Sequence, residues 1–225
     1  MKEEKNTLKN HTKNLTEGSP VRLLLLFSLP LMAGNIFQQL YTIVDTAIVG
    51  KVLGVEALAA LGAVDWLNWL TLGVIQGFTQ GFAILIAQKF GAGEEEPLRH
   101  AVANSVLLSV FCGLFITAAG EGAAGFVLDL LGTPDHIYPI GMAYLRVLFA
   151  GLPVVTAYNL CACILRSLGD SRTPLYAMVV ASLVNIVLDL LFVMGFGWGV
   201  RGAAAATIIG QLISVFYCLV KMKGI

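Results

Sequence analysis

Six stretches of this chain are each long and apolar enough to cross a lipid bilayer, and short breaks rich in glycine, proline and charge separate them. A spanning helix needs about 20 apolar residues, because about 30 Å of hydrocarbon is covered at 1.5 Å per residue. The stretches run over about 21–48, 57–87, 100–127, 137–165, 174–195 and 202–221. The breaks read K-V-L-G-V-E, G-A-G-E-E-E-P-L-R-H, L-G-T-P-D-H, S-L-G-D-S-R-T-P and G-F-G-W-G-V-R-G. Runs this long, without two-residue alternation, exclude a transmembrane β-barrel. The expected fold is an all-α membrane protein: a six-transmembrane-helix bundle over 21–222, preceded by a polar segment at 1–20.

Composition and charge narrow the function. Only 12% of residues are charged, roughly half the share of a soluble domain. Fourteen basic residues balance fourteen acidic ones, and no basic face stands out, so no nucleic-acid partner is expected. Cys112, Cys161, Cys163 and Cys218 lie in apolar surroundings without metal or disulfide spacing, and read as inert buried thiols. Basic residues favour the cytoplasmic side of a membrane. With a cytoplasmic N-terminus, Lys2, Lys5, Lys9, Lys13, Arg22, Lys89, Arg99, Arg166, Arg172, Lys221 and Lys223 fall inside, against Lys51 and Arg201 outside. The expected location is therefore the cytoplasmic membrane, multi-pass, with both termini in the cytoplasm.

Polar side chains recur at helical spacing within the oily stretches. Span one carries Asn35, Gln38, Thr42 and Asp45 on one face, with Tyr41 beside them. Span five carries Ser182, Asn185 and Asp189; span six carries Thr207, Gln211 and Ser214; span four carries Thr156 and Asn159. Such groups at membrane depth face a cavity or a partner, because lipid cannot satisfy them. Asp189 follows Pro174 by 15 residues, about 22 Å into its span, and Thr207 follows Arg201 by six, about 9 Å from the opposite edge. Those depths nearly coincide, and Asp45 lies in the same half. Two carboxylates, amides and a hydroxyl at one level suit a hard monovalent cation, or a proton shared between the acids.

Other polar and small residues read more plainly. Asp65 and Glu121 sit near span ends and are expected to face water, and Glu94, Glu95 and Glu96 form a solvated loop. Trp66 and Trp69 suit the membrane interface, and Gly73, Gly77 and Gly81 have the small-xxx-small spacing of close helix packing. Pro30, inside span one, removes a backbone hydrogen bond and permits a kink able to act as a hinge.

These residues also resemble a known family. S-L-P-L-M-A-G-N-I-F-Q-Q-L-Y-T-I-V-D-T-A-I-V-G-K-V-L-G in span one, I-L-R-S-L-G-D-S-R-T-P before span five, N-I-V-L-D within it and G-V-R-G-A-A-A-A-T-I-I-G-Q at span six are similar to the N-terminal lobe of multidrug and toxic compound extrusion (MATE) transporters, in the DNA-damage-inducible-F-like branch. The likeness covers about 18–222. It implies an antiporter, not an enzyme, that exports organic cations or amphipathic compounds against inward H⁺ or Na⁺ and needs no cofactor. It implies cation coupling, by H⁺ or bound Na⁺, at Asp45, Asn185, Asp189 and Thr207. It also implies a substrate cavity with Gln38, Tyr41 and Asn159, and a hinge at Pro30.

The family has 12 spans in two lobes, and six are found here. The chain is expected to be a half-length lobe completed by a missing C-terminal lobe, or to pair with a second copy as a parallel homodimer. Three other readings stay open: a lipid-linked oligosaccharide flippase of the same superfamily, a non-transporting fragment, and an intramembrane aspartyl protease using Asp45 and Asp189 as a dyad.

Overall fold

The computed structural model describes residues 20–223, so most of the polar segment expected at 1–20 lies outside the described residues. Seven α-helices follow in order: α1 Pro20–Leu53, α2 Val55–Gly91, α3 Glu95–Leu130, α4 Tyr138–Ala150, α5 Leu152–Ser167, α6 Arg172–Asp189 and α7 Gly199–Met222. A six-residue π-helical turn, Leu190–Gly195, extends α6. No strand occurs among the described residues. Five helices are long and apolar enough to cross a membrane alone, α6 counted with its π turn, and α4 with α5 makes a sixth.

The stretch read as one span over 137–165 is thus two helices, bent by 48° at Gly151. Two local features cause the bend. Pro153 has no N–H to give the carbonyl of Phe149. Ile208 of α7 also crowds Gly151, where any Cβ would overlap its side chain. The other break is at Gly54, whose φ of 86° lets α1 turn directly into α2.

Helix directions alternate. A buried cluster of Val49, Ala57, Val193, Val200 and Ala203 gathers the α1–α2 and α6–α7 connections at one end of the bundle, called distal here. Ile86, Ala101, Leu160, Ile164 and Leu168 form a cluster toward the opposite, proximal end. A third, centred on Phe149, Leu145 and Leu128, joins α2, α3 and α4. α7 packs along α6, which also receives α1. Large apolar side chains point outward, with Trp66, Phe111 and Phe216 each about 70% exposed. That inverts a water-soluble domain and suits surrounding lipid.

The expected close packing of Gly73, Gly77 and Gly81 is not found within this lobe. Nothing lies within 4 Å of where their Cβ atoms would be. The intimate approaches are elsewhere, as at Gly210, where a Cβ would meet the Ala181 carbonyl oxygen at 3.1 Å.

Candidate functional site

Asp45 of α1 and Asp189 at the end of α6 meet inside the distal half of the bundle. Asp45 is 9% exposed and Asp189 fully buried. Their carboxyl groups approach closely enough for one to hydrogen-bond the other when a proton is present. With both ionised, Oδ1 of each acid has no donor in the protein. The ion pair found among the described residues, Lys89–Glu94, links the last turn of α2 to the start of α3 and involves neither acid. Two buried anionic oxygens lacking a donor are a strong demand for a positive species.

Asn185 sits one turn before Asp189 and joins two helices. With its amide oriented to pair both ends, Nδ2 donates to Asp189 Oδ2 at 3.1 Å and Oδ1 accepts from the Thr207 backbone N–H at 3.1 Å. The Thr207 hydroxyl donates back to the Ala203 carbonyl at 3.1 Å. The i, i+4 spacing on α6 and the antiparallel α6–α7 pairing put these groups in register. Gly210 lets the two backbones close to that distance.

Proximal to the acids lies a small, partly open cavity between α1, α5, α6 and α7. Gln38 and Tyr41 enter from α1, Tyr158 from α5, Ser182 and Asn185 from α6, and Thr207, Gln211 and Ser214 from α7. Met178 and Ala181 supply apolar wall. Gln211 Oε1 is buried without a donor, whereas Ser214 gives its hydroxyl hydrogen to Ala177 O at 3.1 Å. Asn185 and Thr207 are shared by cavity and acid pair, so the cavity adjoins the acids.

The structure brings Asp45, Asn185, Asp189, Thr207, Gln38 and Tyr41 together. Asn159 is not among the cavity-lining residues; its Nδ2 donates to the Val155 carbonyl at 2.9 Å. Thr156, its partner in the sequence pattern, packs on Gly113 of α3. Tyr158 takes the α5 place in the cavity instead. Tyr144 of α4 was also missed, although it lies near Asp45, Asp189 and Tyr41. The two tyrosines lie on either side of the bend at Gly151, so no helical spacing in the sequence links them. Pro30 lies within an unbroken α1. One turn on, Gly34 packs so closely on α6 that a Cβ would sit 3.1 Å from Met178 Cε.

The MatE family model matches residues 30–191, well over half of the chain and including both acids. The chain belongs to the MatE family. The probable multidrug resistance protein YpnP of Bacillus subtilis is 34% identical over 211 residues, covering 92% of this chain and 46% of the relative. The probable multidrug resistance protein YoeA of Bacillus subtilis is 31% identical, covering 94% of this chain and 47% of the relative. A solved MOP superfamily transporter from Pyrococcus furiosus superposes with a TM-score of 0.87 at 30% identity, over 94% of this chain and 47% of that one. The chain thus spans about half the length of the MatE relatives it matches, and it has the fold of one part of a MatE transporter.

Proposed function

We propose that the chain forms the N-terminal lobe of a cation-coupled antiporter that exports organic cations or amphipathic compounds across the cytoplasmic membrane. The observation carrying this reading is the pair Asp45 and Asp189, buried, within hydrogen-bonding reach of each other and without a basic partner among the described residues. An unpaired buried anion is costly, so the site should exist mainly with H⁺ or Na⁺ aboard. Losing that species leaves two repelling carboxylates, which supplies energy for a conformational change. Carboxyl oxygens and the Thr207 hydroxyl are hard ligands of the kind Na⁺ takes, Asn185 holds Asp189 in place for them, and the same carboxyls can carry H⁺.

Substrate would enter the adjoining cavity, where Tyr41 and Tyr158 offer aromatic faces to a cationic or amphipathic compound. Pro30 would let α1 bend as the acid pair changes charge, with Asp45 on the moving helix. A lipid-linked pyrophosphate is a poorer cargo. Its charge would call for basic lining, and the cavity has none. Catalysis by the two acids as a dyad has no support in the multidrug resistance relatives.

A second lobe, either a C-terminal one or another copy of this chain, would complete the cleft along the exposed polar face of α1. Lys51 and Arg201 sit at the distal end, with Lys89, Arg99, Arg166, Arg172 and Lys221 toward the proximal one. That bias supports a cytoplasmic proximal end. The test is export of a fluorescent organic cation by the two-lobe assembly in vesicles carrying an H⁺ or Na⁺ gradient. Asp189→Asn is expected to abolish gradient-driven export while leaving membrane insertion unchanged. Export at the wild-type rate by the variant would remove Asp189 from the mechanism.

A further inference from the structure

One turn distal to the acid pair, apolar side chains close the chamber. Val49 follows Asp45 by four residues, Val193 follows Asp189 by four, and Ala203 precedes Thr207 by four. Residues four apart on an α-helix stack along one face, so Asp45 and Thr207 each carry an apolar residue of their own helix on the distal side; Val193 reaches the same level from the π turn. Val49, Val193 and Ala203 lie in one cluster, none more than 2% exposed, with Ala57 and Val200 around them. On the proximal side Asn185 and Thr207 also line the cavity. The site thus adjoins polar groups at one end and is covered by apolar side chains at the other.

Val193 belongs to the π-helical turn, the one stretch of π geometry among the described residues. The Phe196 N–H donates to the Leu191 carbonyl, five residues back, at 2.9 Å. Such turns inside helices concentrate at functional sites, because the added residue re-aims the side chains beyond it. Here the turn begins directly after Asp189. Two contacts with the start of α7 hold it. Phe192 stacks on Trp198 with ring centroids 4.9 Å apart, and a Cβ on Gly202 would lie 3.0 Å from Phe192 Cβ. Clamped on that side, the turn drives Val193 between α1, α2 and α7.

We propose that the π turn Leu190–Gly195, through Val193 seated against Val49 and Ala203, is the distal seal of the Asp45–Asp189 pair. It keeps water from the pair on that side, so the coupling cation enters and leaves through the polar cavity alone. Val193 is a positioning residue that touches no cation. The seal rests on the reading of the acid pair as a cation site. The titratable groups around Asp189 are Asp45 and Tyr41 from α1 and Tyr144 from α4. None supplies a positive charge to replace the cation. Water admitted at the distal end would hydrate the carboxylates and compete directly with cation binding.

The test uses the purified chain in lipid nanodiscs and thermal unfolding as the readout. Protection is titrated with Na⁺ at about pH 8 against choline, and with H⁺ from about pH 8 to about pH 5 without Na⁺. The wild type is expected to gain stability with one of the two cations, and Asp189→Asn to lose that gain. Val193→Ala and the similarly sized Val193→Thr are expected to raise the half-protecting concentration about fivefold or more, with Val193→Ile close to wild type. Val64→Ala is the control: Val64 is 1% exposed in the cluster around Phe149. It should lower the melting temperature under every condition and leave the half-protecting concentration alone. Should Val193→Ala not fold, Val193→Thr and Val49→Thr decide the matter. Wild-type half-protecting concentrations in the Val193 variants would overturn the seal while the acid-pair reading stands. Absence of protection by either cation in the wild type would overturn both.

Discussion

Asn185 bears more of the site's geometry than its neutral amide suggests. It holds Asp189 Oδ2 with one end and the Thr207 backbone with the other, so it fixes one carboxylate and ties α6 to α7. A hydrogen bond to a charged group contributes roughly 1.5–3 kcal/mol. Asn185→Ala is therefore expected to weaken the apparent affinity for the driving cation by about tenfold or more, read from export rate against cation concentration. Cargo affinity should change less, because the aromatic walls from Tyr41 and Tyr158 remain. An unchanged cation dependence would reduce Asn185 to a structural link between helices. Tyr144 shows a different contribution at this scale. Its ring fills the junction of two apolar clusters while standing near both acids, so it limits the room left for water.

At the scale of elements, two proline-linked features differ in character. α1 runs unbroken through Pro30, whereas the α4–α5 rod bends by 48° at Gly151. The difference lies in the neighbours. Ile208 packs into the bend at Gly151 and holds it; at Pro30 only a backbone hydrogen bond is missing. The bend at Gly151 is thus a fixed corner. Gly151→Val should destabilise the bundle by about 1–3 kcal/mol, visible as a lower thermal midpoint, since the added methyl groups collide with Ile208. Pro30 leaves one backbone carbonyl of α1 without its usual donor, and Pro30→Ala restores the missing bond. Turnover is expected to fall severalfold while cargo binding, measured by dye titration, stays within about twofold. Wild-type turnover in this variant would show the proline to be incidental.

At the scale of the whole molecule, polar and small residues are left exposed: Gln38 and Thr42 on α1, and Gly73, Gly77 and Gly81 on α2. The chain covers about half the length of its relatives. Polar groups on an outer face of a membrane bundle are costly against lipid, so the Gln38–Thr42 face of α1 is where the proposed second lobe would dock. The arrangement also makes orientation testable. With the four native cysteines replaced by alanine, a cysteine at Gly197 should react with a membrane-impermeant thiol reagent added outside intact cells. One at Glu95 should react only after permeabilisation. The opposite pattern would invert the assignment drawn from the basic residues.

Six apolar runs, their short breaks and the polar positions at three- and four-residue steps were all legible in the linear chain. Each reflects a local requirement: a helix must satisfy its own backbone in lipid, and a polar stripe must turn from the tails. Hence Asp45, Asn185, Asp189 and Thr207 could be grouped by depth alone. Local spacing says nothing about which neighbour a stripe meets. Thr156 and Asn159 share a sequence pattern with the site helices, yet the bend at Gly151 aims Thr156 at α3 and brings Tyr158 into the cavity. The π turn was equally silent, because its extra residue is imposed by Phe192, Trp198 and Gly202 closing on one another across two helices. Span count and polar faces follow from each segment's contact with its solvent; rotation, bend and seal follow from packing between segments, which no single segment encodes.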